Sequence, residues 1–113
     1  MSKCSETFLF CGKMEWEPFG DGMERKLMGY NDDLMIHMVK FTEGVQAALH
    51  SHPHSQTTTV MSGKYEFTVG DRTEVITAGD TVLIKPNELH RCVCLEAGVV
   101  IDAFSPMRED FIK

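Results

Sequence analysis

Residues 50 to 56 read HSHPHSQ, inside GVQAALHSHPHSQTTTVMSG from Gly44 to Gly63. Three of the chain's five histidines stand at alternate positions there, and a glutamine follows two residues after the last. Val45 to His52 reads as a β-strand, in which successive side chains point to opposite faces. His50 and His52 then share one face with Gln46 and Ala48, while Val45, Ala47 and Leu49 take the other. Pro53 ends the regular ladder, which lets His54 swing out at the bend before Gln56 opens the next strand. Two imidazoles on one face form a ready pair of metal ligands. The bland alternative is a histidine-rich surface turn without a ligand. It leaves two polar rings on the inward face of a small β-structure, where an unpaired polar group costs about 1–3 kcal/mol; metal coordination removes that cost.

The flanking segments support the strand reading. ERKLMGY, LMIHMVKF, TTTVMS, KYEFTV, EVITA, TVLIK and VVIDAF are short alternating or apolar runs, divided by Asn31-Asp32-Asp33, Ser62-Gly63, Gly70-Asp71, Ala78-Gly79-Asp80 and Gly98. Many short strands at nearly even spacing indicate an all-β sandwich or barrel. Dense β-branched residues and glycines disfavour helices, leaving only the first twenty residues and the tail after Met107 open to helix or coil. At 113 residues the chain has room for one domain and one modest core. The expected division of 1–113 is an N-terminal segment over 1–20, a barrel over 21–104 and a tail over 105–113.

Composition narrows the function classes. A hydrophobic fraction of 42% and a charged fraction of 25% match ordinary globular usage. No apolar run approaches the roughly 20 residues that span a bilayer. The N-terminus makes a poor signal peptide, so a cytoplasmic location is expected. A net charge of −6 disfavours a nucleic-acid partner, and no membrane partner is expected. Cys92 and Cys94 read as buried apolar side chains in a reducing compartment, with approach to a metal beside His90 as the alternative.

At this point the chain resembles the cupins. Gly44, His50, His52 and Gly63 fall in register with the first cupin motif, with Gln56 where most cupins have glutamate. GDTVLIKPNELH, from Gly79 to His90, is similar to the second motif, with the proline shifted to Pro86 and Asn87 in place of a glycine. Asparagine tolerates the left-handed backbone that a tight turn requires. The resemblance implies a single-domain cupin β-barrel, a double-stranded β-helix or jelly roll. It also implies one divalent transition metal ion (nickel, zinc, manganese, iron or cobalt) held by His50, His52, Gln56 and His90. Three neutral imidazoles and a neutral amide leave the ion's charge uncompensated, which suits a Lewis acid better than a ferric intermediate.

The closing segment VVIDAFSPMREDF resembles that of the small bacterial pectin-degradation cupins, which linearise 4,5-unsaturated uronate monosaccharides. This resemblance implies an enzyme with a uronate substrate, Asp102 and Arg108 as catalytic residues, and Phe104 and Arg108 as substrate-binding residues. Read from the residues alone, Asp102 interrupts an apolar run, so its carboxylate needs a charge, a donor or a cavity; an exposed, inert strand end is the alternative. Phe104 shares its parity, as cavity wall or as plain core. Arg108 is suited to a bidentate grip on a carboxylate, or to an ion pair with Glu109 or Asp110. The other readings of the scaffold are a cupin dioxygenase, a sugar isomerase, or a non-catalytic metal-dependent sugar binder. Met35, Val39, Phe41, Val45 and Leu49 are expected to face outward, enough apolar surface to predict a homodimer.

Overall fold

The computed structural model describes residues 3–112; the expected domain's ends, residues 1, 2 and 113, lie outside the described residues. The strands are β1 (Glu17–Pro18), β2 (Met23–Asn31), β3 (Leu34–Phe41), β4 (Gln46–His50) and β5 (Ser55–Val60), followed by β6 (Lys64–Val69), β7 (Arg72–Thr77), β8 (Thr81–Ile84), β9 (His90–Glu96) and β10 (Gly98–Ser105). Short 3₁₀ turns lie at Cys11–Lys13 and Glu109–Phe111, in the two segments left open to helix or coil. The strands form a six-stranded sheet, β1-β2-β3-β10-β5-β8, and a four-stranded sheet, β4-β9-β6-β7. All pairings are antiparallel. This is the all-β cupin architecture. No helix among the described residues is long and apolar enough to cross a membrane.

The main core lies between the sheets. Val39, Phe41, Val60, Tyr65, Phe67, Cys92, Cys94 and Val100 form one buried cluster, and Met35, Phe104 and Met107 a second. Three residues expected on the outside are therefore core: Met35 is 0%, Val39 3% and Phe41 6% exposed. Alternation defines two faces of a strand without saying which faces in. In β3 both faces are apolar, Met35-Val39-Phe41 against Leu34-Ile36-Met38, so pattern alone cannot orient it. The outward side of β2 and β3 is partly covered by the N-terminal segment. There Lys26 Nζ donates to the Cys11 carbonyl at 2.8 Å, and Lys26 and Lys40 sit over the Trp16 ring.

Strand β4 also departs from the expected parity. Ala47 pairs with Cys92, and His50 with His90, so Ala48 and Leu49 on β4 oppose the single Arg91 on β9. Cys92 and His90 are both buried. The extra residue is a bulge, and it allows Ala47 and His50, which are odd-spaced, to face the interior together. Val45 and Ala47 accordingly pack against the core, whereas Gln46 and Leu49 are exposed.

The two motif turns have distinct backbone requirements. Gly63 has φ +90, and a Cβ there would meet the carbonyl oxygens of Glu96 at 2.5 Å and Ala97 at 2.8 Å. Asn87, in the glycine position of the second motif, has φ 65. Its N–H donates to the His52 carbonyl at 2.7 Å, which ties the second motif's turn directly to the first motif.

Candidate metal centre and cavity

His50 and His90 are direct cross-strand partners, and their ring centroids lie 4.1 Å apart. His52 lies 4.9 Å from His90 and 5.7 Å from His50 by the same measure. One nitrogen from each of the three falls within 4.8 Å of the others, a group able to hold a metal ion. His50 is exposed, and His52 and His90 are buried. His50 Nδ1 lies 2.7 Å from the Ala48 carbonyl, and His90 Nδ1 lies 2.8 Å from the Glu88 carbonyl. Each bond places the proton on Nδ1 and leaves Nε2 with its lone pair, the backbone support that orients metal-ligating histidines. His90 Nε2 is buried without a partner, which is costly unless something binds there.

Gln56 brings its Oε1 to 2.8 Å from His52 Nε2. A neutral amide oxygen beside three imidazoles is a donor set that suits a divalent transition metal, so the residues fit the ion that the motifs imply. Burial holds His52 below the ordinary histidine pKa, with the Arg108 charge acting in the same direction. Burial also holds His90 low, against the bond to Glu88 that raises it. Both rings therefore favour the unprotonated form that metal binding requires.

The inner face of the six-stranded sheet supplies the opposite wall. Asp102 on β10 is in register with His37 on β3 and Thr58 on β5; Phe104 is in register with Met35 and Gln56. His50, Gln56, Asp102, Phe104 and Arg108 line one cavity of about 340 Å³, together with His37, Thr58 and Phe111. That volume lies at the low end of small-molecule sites, roughly 300–1,000 Å³. Larger grooves of about 530 and 680 Å³ lie elsewhere and contain no histidine, so chemistry rather than size identifies the site.

Asp102 is 8% exposed, which answers the question its sequence position posed: it is buried at the cavity, not an exposed strand end. Phe104, 4% exposed, is at once core and cavity wall. Arg108 reaches the cavity but also grips Asp110 with two bonds, Nε to Oδ1 at 3.0 Å and Nη2 to Oδ2 at 2.9 Å. The Arg108 bond holds the Asp110 carboxyl below its usual pKa. Phe111 anchors this tail, with the guanidiniums of both Arg108 and Arg25 packed over its ring. His54 stands outside the metal group, its ring against His52 and Phe104.

Cys92 and Cys94 are core residues and do not belong to the metal group. Burial pushes the Cys92 thiol up to about 12 and raises Cys94, which disfavours the thiolate that ligation needs. Sequence reasoning missed His37 and Thr58. The available signal was a histidine at an inward-parity position of LMIHMVKF, legible only once that parity is known.

A family model described as "Cupin domain" matches residues 37–104. The chain is 39% identical over 99 residues to the "Pectin degradation protein KdgF" of Dickeya dadantii (strain 3937), covering 86% of this chain and 90% of that protein. Among solved structures, an RmlC-like cupin from Shewanella frigidimarina NCIMB 400 superposes with a TM-score of 0.94 at 38% identity, covering 96% of this chain and 98% of the other. KdgF from Halomonas sp. superposes with a TM-score of 0.91 at 29% identity, covering 96% and 100%. With both histidine motifs and the sheet order of the barrel in agreement, the chain belongs to the cupin family and, within it, groups with the KdgF proteins.

Proposed function

We propose that this protein acts in pectin breakdown by converting 4,5-unsaturated uronate monosaccharides to linear keto-uronates. The observation that carries the reading is a three-histidine group with Gln56 beside it, set against one small cavity that His50, Gln56, the buried Asp102 carboxylate and Arg108 line together. The reaction is an isomerisation. The C1 hydroxyl loses a proton as the C1–O5 ring bond breaks, giving an aldehyde at C1 and an enol at C5. The enol oxygen then loses its proton and C4 gains one, giving a ketone at C5 with no redox equivalent consumed.

In this mechanism His50, His52, Gln56 and His90 hold one divalent metal, which supplies Lewis-acid polarisation of sugar oxygens when bound. Asp102, buried at the cavity, moves the proton. Arg108 receives the substrate carboxylate and orients the ring against Phe104. The direct test mixes metal-loaded protein with unsaturated galacturonate monomer and follows the ultraviolet absorbance of its conjugated double bond. Loss above the spontaneous rate is expected, and an unchanged rate on every unsaturated uronate sinks the proposal.

Asp110 occupies the guanidinium fork that this reading assigns to substrate, so the two carboxylates compete. Arg108→Lys keeps the charge but loses the planar fork, and its KM should rise by an amount on the order of 1.5–3 kcal/mol. Asp110→Asn weakens the competitor and should lower KM several-fold with kcat little changed. Opposite shifts in KM for the two variants support the assignment; a raised KM in Asp110→Asn counts against it.

We also propose a homodimer, on a surface that keeps only Leu49 of the residues first expected to form it. Leu49, Val75 and Leu95 lie exposed on the outer face of the four-stranded sheet, and Phe8, Phe10 and Leu83 are exposed elsewhere. Light scattering at micromolar concentration should give twice the chain mass, and a monomer mass refutes pairing.

A further inference from the structure

The Asp102 carboxylate is held from both neighbouring strands. Its Oδ1 accepts from Thr58 Oγ1 at 2.6 Å and from Gln56 Nε2 at 3.4 Å. Its Oδ2 lies 3.2 Å from His37 Nδ1. An ionised carboxylate offers about four lone-pair sites, two per oxygen. Three contacts leave one, and it lies on Oδ2. The oxygen free to exchange a proton is therefore the one that His37 holds.

His37 is 1% exposed. Its ring centroid lies 5.0 Å from that of Phe19, 4.7 Å from Phe111 and 6.1 Å from Phe104, and its Nε2 has no hydrogen-bond partner. A leucine or phenylalanine would fill such an aromatic cage without burying an unpaired nitrogen. Packing alone does not account for an imidazole there, whereas the bond to Asp102 does. His37 also stands outside the metal group.

We propose that His37 is a positioning residue for the candidate reaction: its Nδ1–H donates to Asp102 Oδ2 and fixes the remaining lone pair toward the substrate. The inference rests on the uronate-linearising reading above. The neighbouring strands divide the work, with Thr58 and Gln56 immobilising one oxygen and His37 aiming the other.

The test uses metal-loaded protein and unsaturated galacturonate. His37→Phe keeps the shape but loses the donor. Its kcat should fall on the order of 10–100-fold, as expected for a misplaced reacting group, with KM within about threefold and metal content unchanged. His37→Asn, whose amide nitrogen reproduces a donor near the Nδ1 position, should recover most of that loss. In an Asp102→Asn background, His37→Phe should cost less than about threefold more, because residues that act as one unit are non-additive. Wild-type kcat in His37→Phe, or two losses that multiply independently, overturns the proposal. On the unmodified protein, ring ¹⁵N NMR should find a proton on His37 Nδ1; an unprotonated Nδ1 overturns it whether or not any variant folds. A wild-type protein inactive on every unsaturated uronate strikes the reaction itself, whereas an active one with silent His37 variants strikes only this role.

Discussion

Asp102→Asn is expected to lower kcat on unsaturated galacturonate by roughly 10²–10⁴, the usual contribution of a positioned general acid or base. The substitution preserves size and retains an oxygen able to accept from Thr58, so the fold and metal content should hold. What it removes is the group to which the proposed reaction assigns the proton. The effect should fall on kcat and on kcat/KM alike, since the interaction belongs to the transition state. Elemental analysis and a thermal melt run beside the kinetics separate this outcome from misfolding. Kinetics near those of the wild type would mean that another group moves the proton, and the tail resemblance would then have misled.

The second large effect concerns the metal. The purified protein should carry about one divalent ion per chain by elemental analysis, and a His50→Ala, His52→Ala double variant should carry almost none. Because an ion that binds only the folded state stabilises it, excess metal at a thousand times its Kd adds about 4.1 kcal/mol to the wild type and little to the variant. The two melts should diverge accordingly. The pH dependence has a definite sign. Burial depresses the folded-state pKa of His52 and His90, so their neutral forms extend to lower pH than the ordinary histidine value of about 6.5. Proton competition at these two ligands should therefore begin only below that value, and metal should be retained through mild acid. Unchanged metal content in the double variant removes the basis of the site assignment.

The sequence made most of the fold and most of the site legible because two of its patterns are local. Short strands between turn residues specify an all-β chain, and H-x-H followed by Gln56 specifies clustered donors within one stretch of backbone. Asn87 could be read as a left-handed turn residue because that conformational tolerance belongs to its own side chain and backbone. The same local logic identified Cys92 and Cys94 as small buried side chains.

Other features depend on which strands become neighbours. The ladder β3-β10-β5 puts His37, Asp102 and Thr58 in one row, although 65 residues separate His37 from Asp102 in the chain. Nothing in the spacing of LMIHMVKF and VVIDAF announces that meeting. Both faces of β3 are likewise apolar, so its pattern does not reveal that Met35, Val39 and Phe41 face inward rather than outward. In β4 a strict two-residue period put Ala48 with His50, but pairing with β9 inserts a bulge that turns Ala47 and His50 inward together. The sequence by itself determined the strand class, the candidate donor types and the turn backbones, because these follow from residues close along the chain. Only the tertiary structure decided register, facing and the His37–Asp102 contact, because long-range pairing and the burial of one sheet face against another select them.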